Sequence, residues 1–489
     1  MGAGAAALGV IGLGGEADAS PRGRFSPLSE PTPSPAKVQR FVSRPDITPP
    51  GVHIDRSGEL DEAAQPRFIF LAPRTVAGSG QTAGTQGLMM IDLNGDLVWW
   101  RPSTNHDAVP FNFRTQTFGG KPVLTWYEGE VAEGYAIHGT GKIADATYTP
   151  FAEVKAEGYG TDLHEFLITP QDTAFVTAYE YAAPLLIGHA QEIAVGPNTV
   201  EWDWRCYPTI PTSASYVSLK NTPDYFHINS IDLWPGSERN VLISARNTST
   251  IYLISRATKE VIWSLGGKSS SFAMGPGASF TTQHDARPLP DGSGVSLFDD
   301  ASAPSPEKQS WGKVLTLDQS AKTATLRHEF SHINQPIDSG HEGNLQLLPT
   351  NGHFIGWGAY PFFSLFGASN TVHAPLLLDG RMPTGIQNYR AFLSDWTGAP
   401  LEKELAIVVH GGDGVGKYTA WVSWNGATEV AYWEVAAGRT TALKAVAIVP
   451  RHGFETRIPF VLDGATDFQV TALDAHKHVL GNSQIVHVS

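Results

Sequence analysis

The feature that most constrains this chain is a hairpin that recurs. "HEFLITPQDTAFVTAYE" starts at His164, "HINSIDLWPGSERNVLISARN" at His227, "HDARPLPDGSGVSLFDD" at His284 and "HEGNLQLLPTNGHFIGWGA" at His341. Each has a polar head, a short strand, a Pro/Gly/Asp/Asn turn and a second apolar strand. The histidines are 63, 57 and 57 residues apart. "NFRTQTFGGKPVLTWYE" from Asn112 fits the same mould, and "VHIDRSGELDEAAQPRFIFLAP" from Val52 fits it with a longer turn. Between the hairpins lies a second unit of strand, turn and strand that often ends in Trp, as in "GLMMIDLNGDLVWW", "QEIAVGPNTVEWDW" and "STIYLISRATKEVIWSLGG". Four strands per 50–65 residues, six times over, is the pattern of β-propeller blades.

The sequence therefore predicts an all-β fold with a six-bladed β-propeller over residues 38–395. From Trp396 the pattern changes to seven short alternating segments, "ELAIVVHGG" through "SQIVHVS". These suit an immunoglobulin-like sandwich over 396–489 without the disulfide. The composition, with 50 Gly, 34 Pro, 13 Trp and 23 Phe and no heptads, agrees with a turn-rich β protein. Residues 1–37 divide into "MGAGAAALGVIGLGGEADASPRG", which resembles a signal-peptide core without its positive n-region, and the Pro/Ser linker "FSPLSEPTPSPAK". Export is the expectation; a flexible Gly/Ala tail is the alternative. No later run is long and apolar enough to span a bilayer, so membrane insertion is not expected.

With 34 basic against 48 acidic residues the formal charge is −14, which argues against nucleic-acid or anionic-membrane partners but leaves room for a local cationic pocket. Cys206 is the single cysteine, which excludes an internal disulfide and a thiolate metal site. The sequence does not set an oligomeric state.

In a propeller the first strand of each blade lines the central channel. Equivalent hairpin heads then bring His164, His227, His284, His341 and Asn112 to one mouth. Period-two alternation puts His227 and Asn229 on one side of their strand, and Arg246 closes the antiparallel partner strand near them. Three uses compete for such a ring. A repeated His at a strand start can bond within its blade. Four imidazoles can hold a metal, but Glu165, Asp285 and Glu342 directly follow their histidines and are expected on the opposite face, so no metal is expected. A tetrahedral oxyanion fits best, with Arg as a planar fork, Asn as a neutral donor and His as donor or nucleophile.

"FHINSI" with "SARN" nineteen residues after the His, "QHDARPLPDG" and "LHEF" resemble the aryl-sulfate-dependent arylsulfotransferases, in particular their smaller actinobacterial and fungal relatives. The blade pattern carries the likeness over about residues 40–395, and "WVSWNGATEVAYW" in the tail is also similar. The resemblance implies that a channel histidine attacks the sulfur of an aryl sulfate, is transiently sulfurylated, and passes the group to a phenolic acceptor without a nucleotide donor or other cofactor. It implies His284 as nucleophile, His227, Asn229 and Arg246 as grips on the sulfuryl oxygens, and His164 as an assisting histidine. His341 and Asn344 have no assigned counterpart; they shape the acceptor side or only pack. The best-studied bacterial members carry a small β domain at the N-terminus and a disulfide, whereas this chain has its β domain at the C-terminus. Two alternatives stand beside this one: a non-catalytic propeller that binds carbohydrate or protein through its loops, and a lyase or cyclase using channel histidines for acid–base work.

Overall fold

The computed structural model describes residues 38–488 apart from 77–85, 104–107, 133–134, 237, 303–307, 334, 413–415 and 440–441. The signal-like segment and linker, residues 1–37, lie outside the described residues. Regular structure is almost entirely β; the helical pieces among the described residues are the 3-10 turns Glu62–Ala64, Thr212–Ala214 and Glu402–Glu404. No helix there is long and apolar enough to cross a membrane.

Each recurring hairpin opens an antiparallel meander. Five first strands follow the hairpin heads: β1 (Val109–Phe118), β2 (Thr161–Ile168), β3 (Ile228–Leu233), β4 (His284–Pro288) and β5 (Asn344–Leu347). The next three strands in the chain pair onto each in order. The sheet begun by β4 gains Ala273–Met274, parallel, at its outer edge. A sixth first strand, β6 (Phe392–Ser394), comes from the far end of the repeat region and pairs with Phe68–Leu71, after which Gly87–Asp92 and Leu97–Pro102 complete the sheet.

The Val52 segment therefore departs from expectation. His53–Arg56 pairs with Leu376–Arg381 at the outer edge of the β5 sheet instead of opening a hairpin. Its long turn, which folds into the Glu62–Ala64 3-10 turn, separates it from Phe68–Leu71, and alternation over four residues does not distinguish an inner strand from an outer one.

Side-chain bonds join successive first strands from β1 to β4, β5 to β6, and β6 back to β1. Asn112 on β1 donates to the Leu163 carbonyl of β2 (2.8 Å), and Ile231 N–H on β3 reaches Glu165 of β2 (3.4 Å). Arg287 on β4 donates to the Ile231 carbonyl (3.0 Å), and Gln346 on β5 pairs with Leu393 of β6 through both its amide oxygen and nitrogen (2.8 and 2.9 Å). Thr115 Oγ1 donates to Ser394 Oγ (2.7 Å), returning the ring to β1. Apolar residues on the faces of neighbouring sheets fill the space between them, with Phe70, Phe113 and Ile231 fully buried. Burying a side chain of this size contributes roughly 1.5–3 kcal/mol.

The tail forms two facing sheets around Val422, Trp433, Val435 and Phe468: one of Leu405–Gly411, Lys417–Trp424 and Glu455–Val461, the other of Lys444–Pro450, Tyr432–Gly438, Asp467–Leu473 and Val479–Asn482, with Val486–His487 added. It is joined to the β6 sheet by polar bonds. Asn425 accepts from Trp100 N–H and donates to the Trp100 carbonyl, both at 2.9 Å, like one rung of a β ladder. Tyr148 Oη donates to the Gly426 carbonyl (2.6 Å) while its ring stacks on Trp99 (4.6 Å between centroids).

Candidate functional site

The heads of the first strands share a local irregularity. Register shifts interrupt β1 between Phe111 and Arg114, β2 between Thr161 and Phe166, and β4 between His284 and Arg287. Asn112, His227, Asp285 and Glu342 have positive φ of 55°, 57°, 51° and 72°. A bulge of this kind re-aims side chains and breaks the two-residue alternation.

Three imidazoles meet at this end of the ring, each with a buried carboxylate behind it. Asp162 Oδ2 lies 2.5 Å from His164 Nδ1, Asp224 Oδ2 lies 2.5 Å from His227 Nδ1, and Asp300 Oδ2 lies 2.5 Å from His284 Nδ1. The rings of His164 and His227 are 4.7 Å apart and nearly perpendicular. Tyr389 lies edge-on to both His164 (5.9 Å) and His284 (6.4 Å). His284 is 1 % exposed and its Nε2 accepts a hydrogen bond from Glu342 N–H (3.4 Å). That bond requires a lone pair on Nε2, so the ring proton of the neutral imidazole is on Nδ1, donated to Asp300. Burial, followed by Arg246 and the two other histidines, holds His284 well below the usual imidazole range. Burial likewise lowers His227, against the pull of Asp224. Asp300 is pushed well up, again chiefly by burial. With Nδ1 tied to a carboxylate, each ring turns its Nε2 away from that carboxylate.

Arg246 is where the hairpin geometry predicts: its N–H donates to the His227 carbonyl (2.9 Å). Its Nη1 donates to Asn247 Oδ1 (3.0 Å) and its Nη2 to the Gly340 carbonyl (2.9 Å), while Nε is buried with no partner. An aromatic wall of Phe111, Tyr127 and Tyr389 adjoins this group. Two cavities, about 230 Å³ between Phe68 and Arg451 and about 340 Å³ beside Arg101 and Glu128, lie away from the histidines.

Other expected site residues have different surroundings. Asn112, Asn229 and Asn344 are fully buried and donate to the next first strand or its approach, at Leu163, Gln283 and Ala391 (2.8, 2.7 and 2.8 Å). They are staples between sheets, each amide nitrogen reaching along the ring to the neighbouring backbone. His341 is half exposed, its Nδ1 3.5 Å from Glu342 Oε1, outside the imidazole group.

The carboxylates expected on the opposite face are buried in the ring. Glu165 is fully buried among Arg114, Arg287 and Arg390, and Asp285 bonds Arg287 (2.6 Å). Burial opposes ionisation of Glu165, but the three guanidinium groups outweigh it and hold the carboxyl at about 2. Glu342 pairs with Arg74. Strict two-residue alternation does not place this charged layer, because the strands that carry it are irregular at their heads. Asp162 and Asp224 had a legible signal, an acid two or three residues before the His; Asp300 had none, standing sixteen residues after its partner. Among the described residues no group of three or more His, Cys, Asp or Glu side chains is spaced to hold a metal ion.

The fold and site define an all-β protein with a ring of strands that holds three His–Asp pairs and one arginine at its mouth. Residues 207–373 match the arylsulfotransferase (ASST) family model, about a third of the chain, in agreement with the family resemblance of the sequence. The matched stretch contains His227, Arg246, His284, Asp300 and His341 and leaves out Asn112 and His164. No curated protein matches the chain. Among solved structures, a protein of unknown function from Bacteroides caccae is 12 % identical, with 67 % of this chain and 98 % of that one covered and a TM-score of 0.40. A catalytically inactive virginiamycin B lyase from Staphylococcus aureus, with quinupristin, is 12 % identical over 76 % of this chain and 96 % of that one, with a TM-score of 0.36.

Proposed function

We propose that this chain is an arylsulfotransferase that moves a sulfuryl group from an aryl sulfate to a phenolic acceptor by way of a sulfurylated His284. The catalytic unit is a six-bladed β-propeller over residues 38–395 that carries an immunoglobulin-like sandwich over 396–489. An exported site of action belongs to the proposal and rests on the apolar N-terminal segment. The observation that carries it is the grouping of His227, Arg246 and His284, all within the stretch that matches the family model, with the imidazoles backed by buried carboxylates.

Sulfuryl transfer, like phosphoryl transfer, is an in-line displacement with charge spread over peripheral oxygens, so positioning and electrostatics do most of the work. The lone pair of His284 Nε2 forms the N–S bond while the S–O(aryl) bond breaks, and the electron pair leaves on the phenolate. The Nδ1–H becomes more acidic as the ring gains the sulfuryl group, and Asp300 shares that proton. Arg246 supplies a charged fork to the sulfuryl oxygens, with its buried, unpartnered Nε–H still to be satisfied. In the second half the acceptor oxygen attacks sulfur, the pair returns to Nε2, and His227 or His164 accepts the phenol proton. The wall of Phe111, Tyr127 and Tyr389 suits an aromatic ring.

The test is nitrophenolate release from 4-nitrophenyl sulfate, with and without a phenol acceptor, by wild type and His284→Ala. Acceptor-dependent release that disappears in the variant is expected. Absence of release across a panel of aryl sulfates overturns the proposal.

A further inference from the structure

The segment leading into β5 crosses the site and is fastened at both ends. Ser339 N–H donates to Ser310 Oγ (2.8 Å), and Ser339 Oγ lies between the carbonyls of His341 and Trp357 (2.8 and 3.0 Å). At the other end Gly343 N–H donates to the Tyr389 carbonyl (3.0 Å). Between these anchors the backbone turns left-handed, with φ of 69° at Gly340, 72° at Glu342 and 98° at Gly343. Glycine adopts that conformation freely; glutamate does not, and is held there by its surroundings.

Two main-chain groups of this span face the reacting groups. The Gly340 carbonyl accepts from Arg246 Nη2 (2.9 Å) and Ser302 Oγ (3.3 Å), and Glu342 N–H donates to His284 Nε2 (3.4 Å). Sulfur has to approach Nε2 along its lone pair, and the N–H of Glu342 stands on that path. The Arg246 fork is likewise occupied by a neutral carbonyl. Outside the site, the Glu342 carboxylate pairs with Arg74, which also donates to Gln387 Oε1 (3.0 Å) and lies over the Phe111 ring (5.0 Å).

We propose that Gly340–Gly343 is a lid over His284 Nε2 and Arg246, hinged at its two glycines and latched by the Arg74–Glu342 ion pair, which has to lift before an anionic substrate can bind. The significance of the lid rests on the function proposed above: reclosing over the sulfurylated histidine excludes water and favours transfer over hydrolysis. The geometric claim stands without it.

The lid is tested by carbethoxylation of His284 with diethyl pyrocarbonate, followed by peptide mass spectrometry with the exposed His410 as internal reference. Glu342→Ala and Arg74→Met each remove the latch; the latter keeps an apolar side chain against Phe111. In both, His284 modification relative to His410 is expected to rise at least tenfold on the order set by losing one charged contact. The charge exchange Arg74→Glu with Glu342→Arg is expected to restore slow modification. Circular dichroism and an unchanged His410 rate identify variants that have kept their fold. Unchanged His284 reactivity in folded Glu342→Ala and Arg74→Met overturns the lid. Turnover of 4-nitrophenyl sulfate by wild type reports separately on the functional proposal, so an unmasked His284 in a protein without that turnover supports the lid and sinks the sulfotransferase.

Discussion

Replacement of Arg246 by Ala separates a catalytic clamp from a structural arginine. The side chain makes two hydrogen bonds, to Asn247 Oδ1 and the Gly340 carbonyl, and Gly340 keeps Ser302 Oγ as a donor when the guanidinium goes. At about 0.5–1.5 kcal/mol per bond, the loss of stability is about 1–3 kcal/mol. The loss of rate is larger. Removing one preorganised donor from a site where charge develops costs about 10²–10³ in rate, or about 2.7–4 kcal/mol. Arg246 also acts on His284, the proposed nucleophile, since it follows burial as a cause of its depressed pKa.

That second role gives the prediction its sign. A lowered imidazole pKa keeps Nε2 unprotonated, and reactive, down to acidic pH. Taking away the positive charge raises the His284 pKa, so the acid limb of kcat/KM against pH moves upward. Arg246→Lys keeps the charge but not the fork, and is expected to leave the acid limb near its wild-type position while recovering only part of the rate. The assay is nitrophenolate release from 4-nitrophenyl sulfate with a saturating phenol, read from pH ~5 to ~9 around the ordinary imidazole range. A kcat/KM within about threefold of wild type for Arg246→Ala, far short of one lost donor, refutes the clamp. An unmoved acid limb refutes the electrostatic link.

Asp300→Asn replaces the acceptor that fixes the His284 tautomer at 2.5 Å and is expected to lower turnover by on the order of 10²–10⁴, with Asp162→Asn milder; rapid-quench detection of the first phenolate released checks both. Glu165→Gln leaves Arg114, Arg287 and Arg390 without their shared carboxylate and is expected to cost about 3–5 kcal/mol in denaturant unfolding. In wild type the same carboxyl, depressed to about 2, contributes stability that is fully present above its unfolded pKa of about 4.3 and is lost as pH falls from there towards 2; acid titration followed by tryptophan fluorescence should be steeper over that window than in the Gln variant. Asn425→Ala strips the partner from the buried N–H and C=O of Trp100 and is expected to cost about 1–3 kcal/mol for each group left unsatisfied, seen as a lower Tm.

Five of the sheets were legible from a hairpin with a turn signal, and three outer pairs carry the Trp that marks the second unit. The convergence of His164, His227 and His284 followed from their spacing once the repeat was recognised. Alternation then misled, because it assumes an unbroken strand. The irregularities around Asn112, Glu165, Asn229 and Asp285 have no turn dipeptide to mark them, and they swing Glu165 and Asp285 into the ring and Asn112 and Asn229 onto neighbouring backbone. Tyr389 and Arg390 escaped notice for another reason: they lie just before β6, in a connection without periodicity.

The repeated and the unrepeated residues divide the work. Asn112, Asn229 and Asn344 do the same task in three sheets, each donating to the strand or loop that follows in the ring, and so belong to the scaffold. The histidines occupy comparable heads, yet their carboxylates come from three different places: Asp162 within the same strand, Asp224 before it, and Asp300 beyond the partner strand. A structural repeat does not require that; identical heads would take identical partners. Three separate solutions that each hold Nδ1 are what the proposed chemical task asks of these histidines. Arg246 bonds the Gly340 carbonyl, and the Glu342 main chain reaches His284 Nε2, in an arrangement set by these two sheets alone. On the function proposed above, the ring supplies the frame, and the departures from its symmetry are the residues whose variants test that proposal.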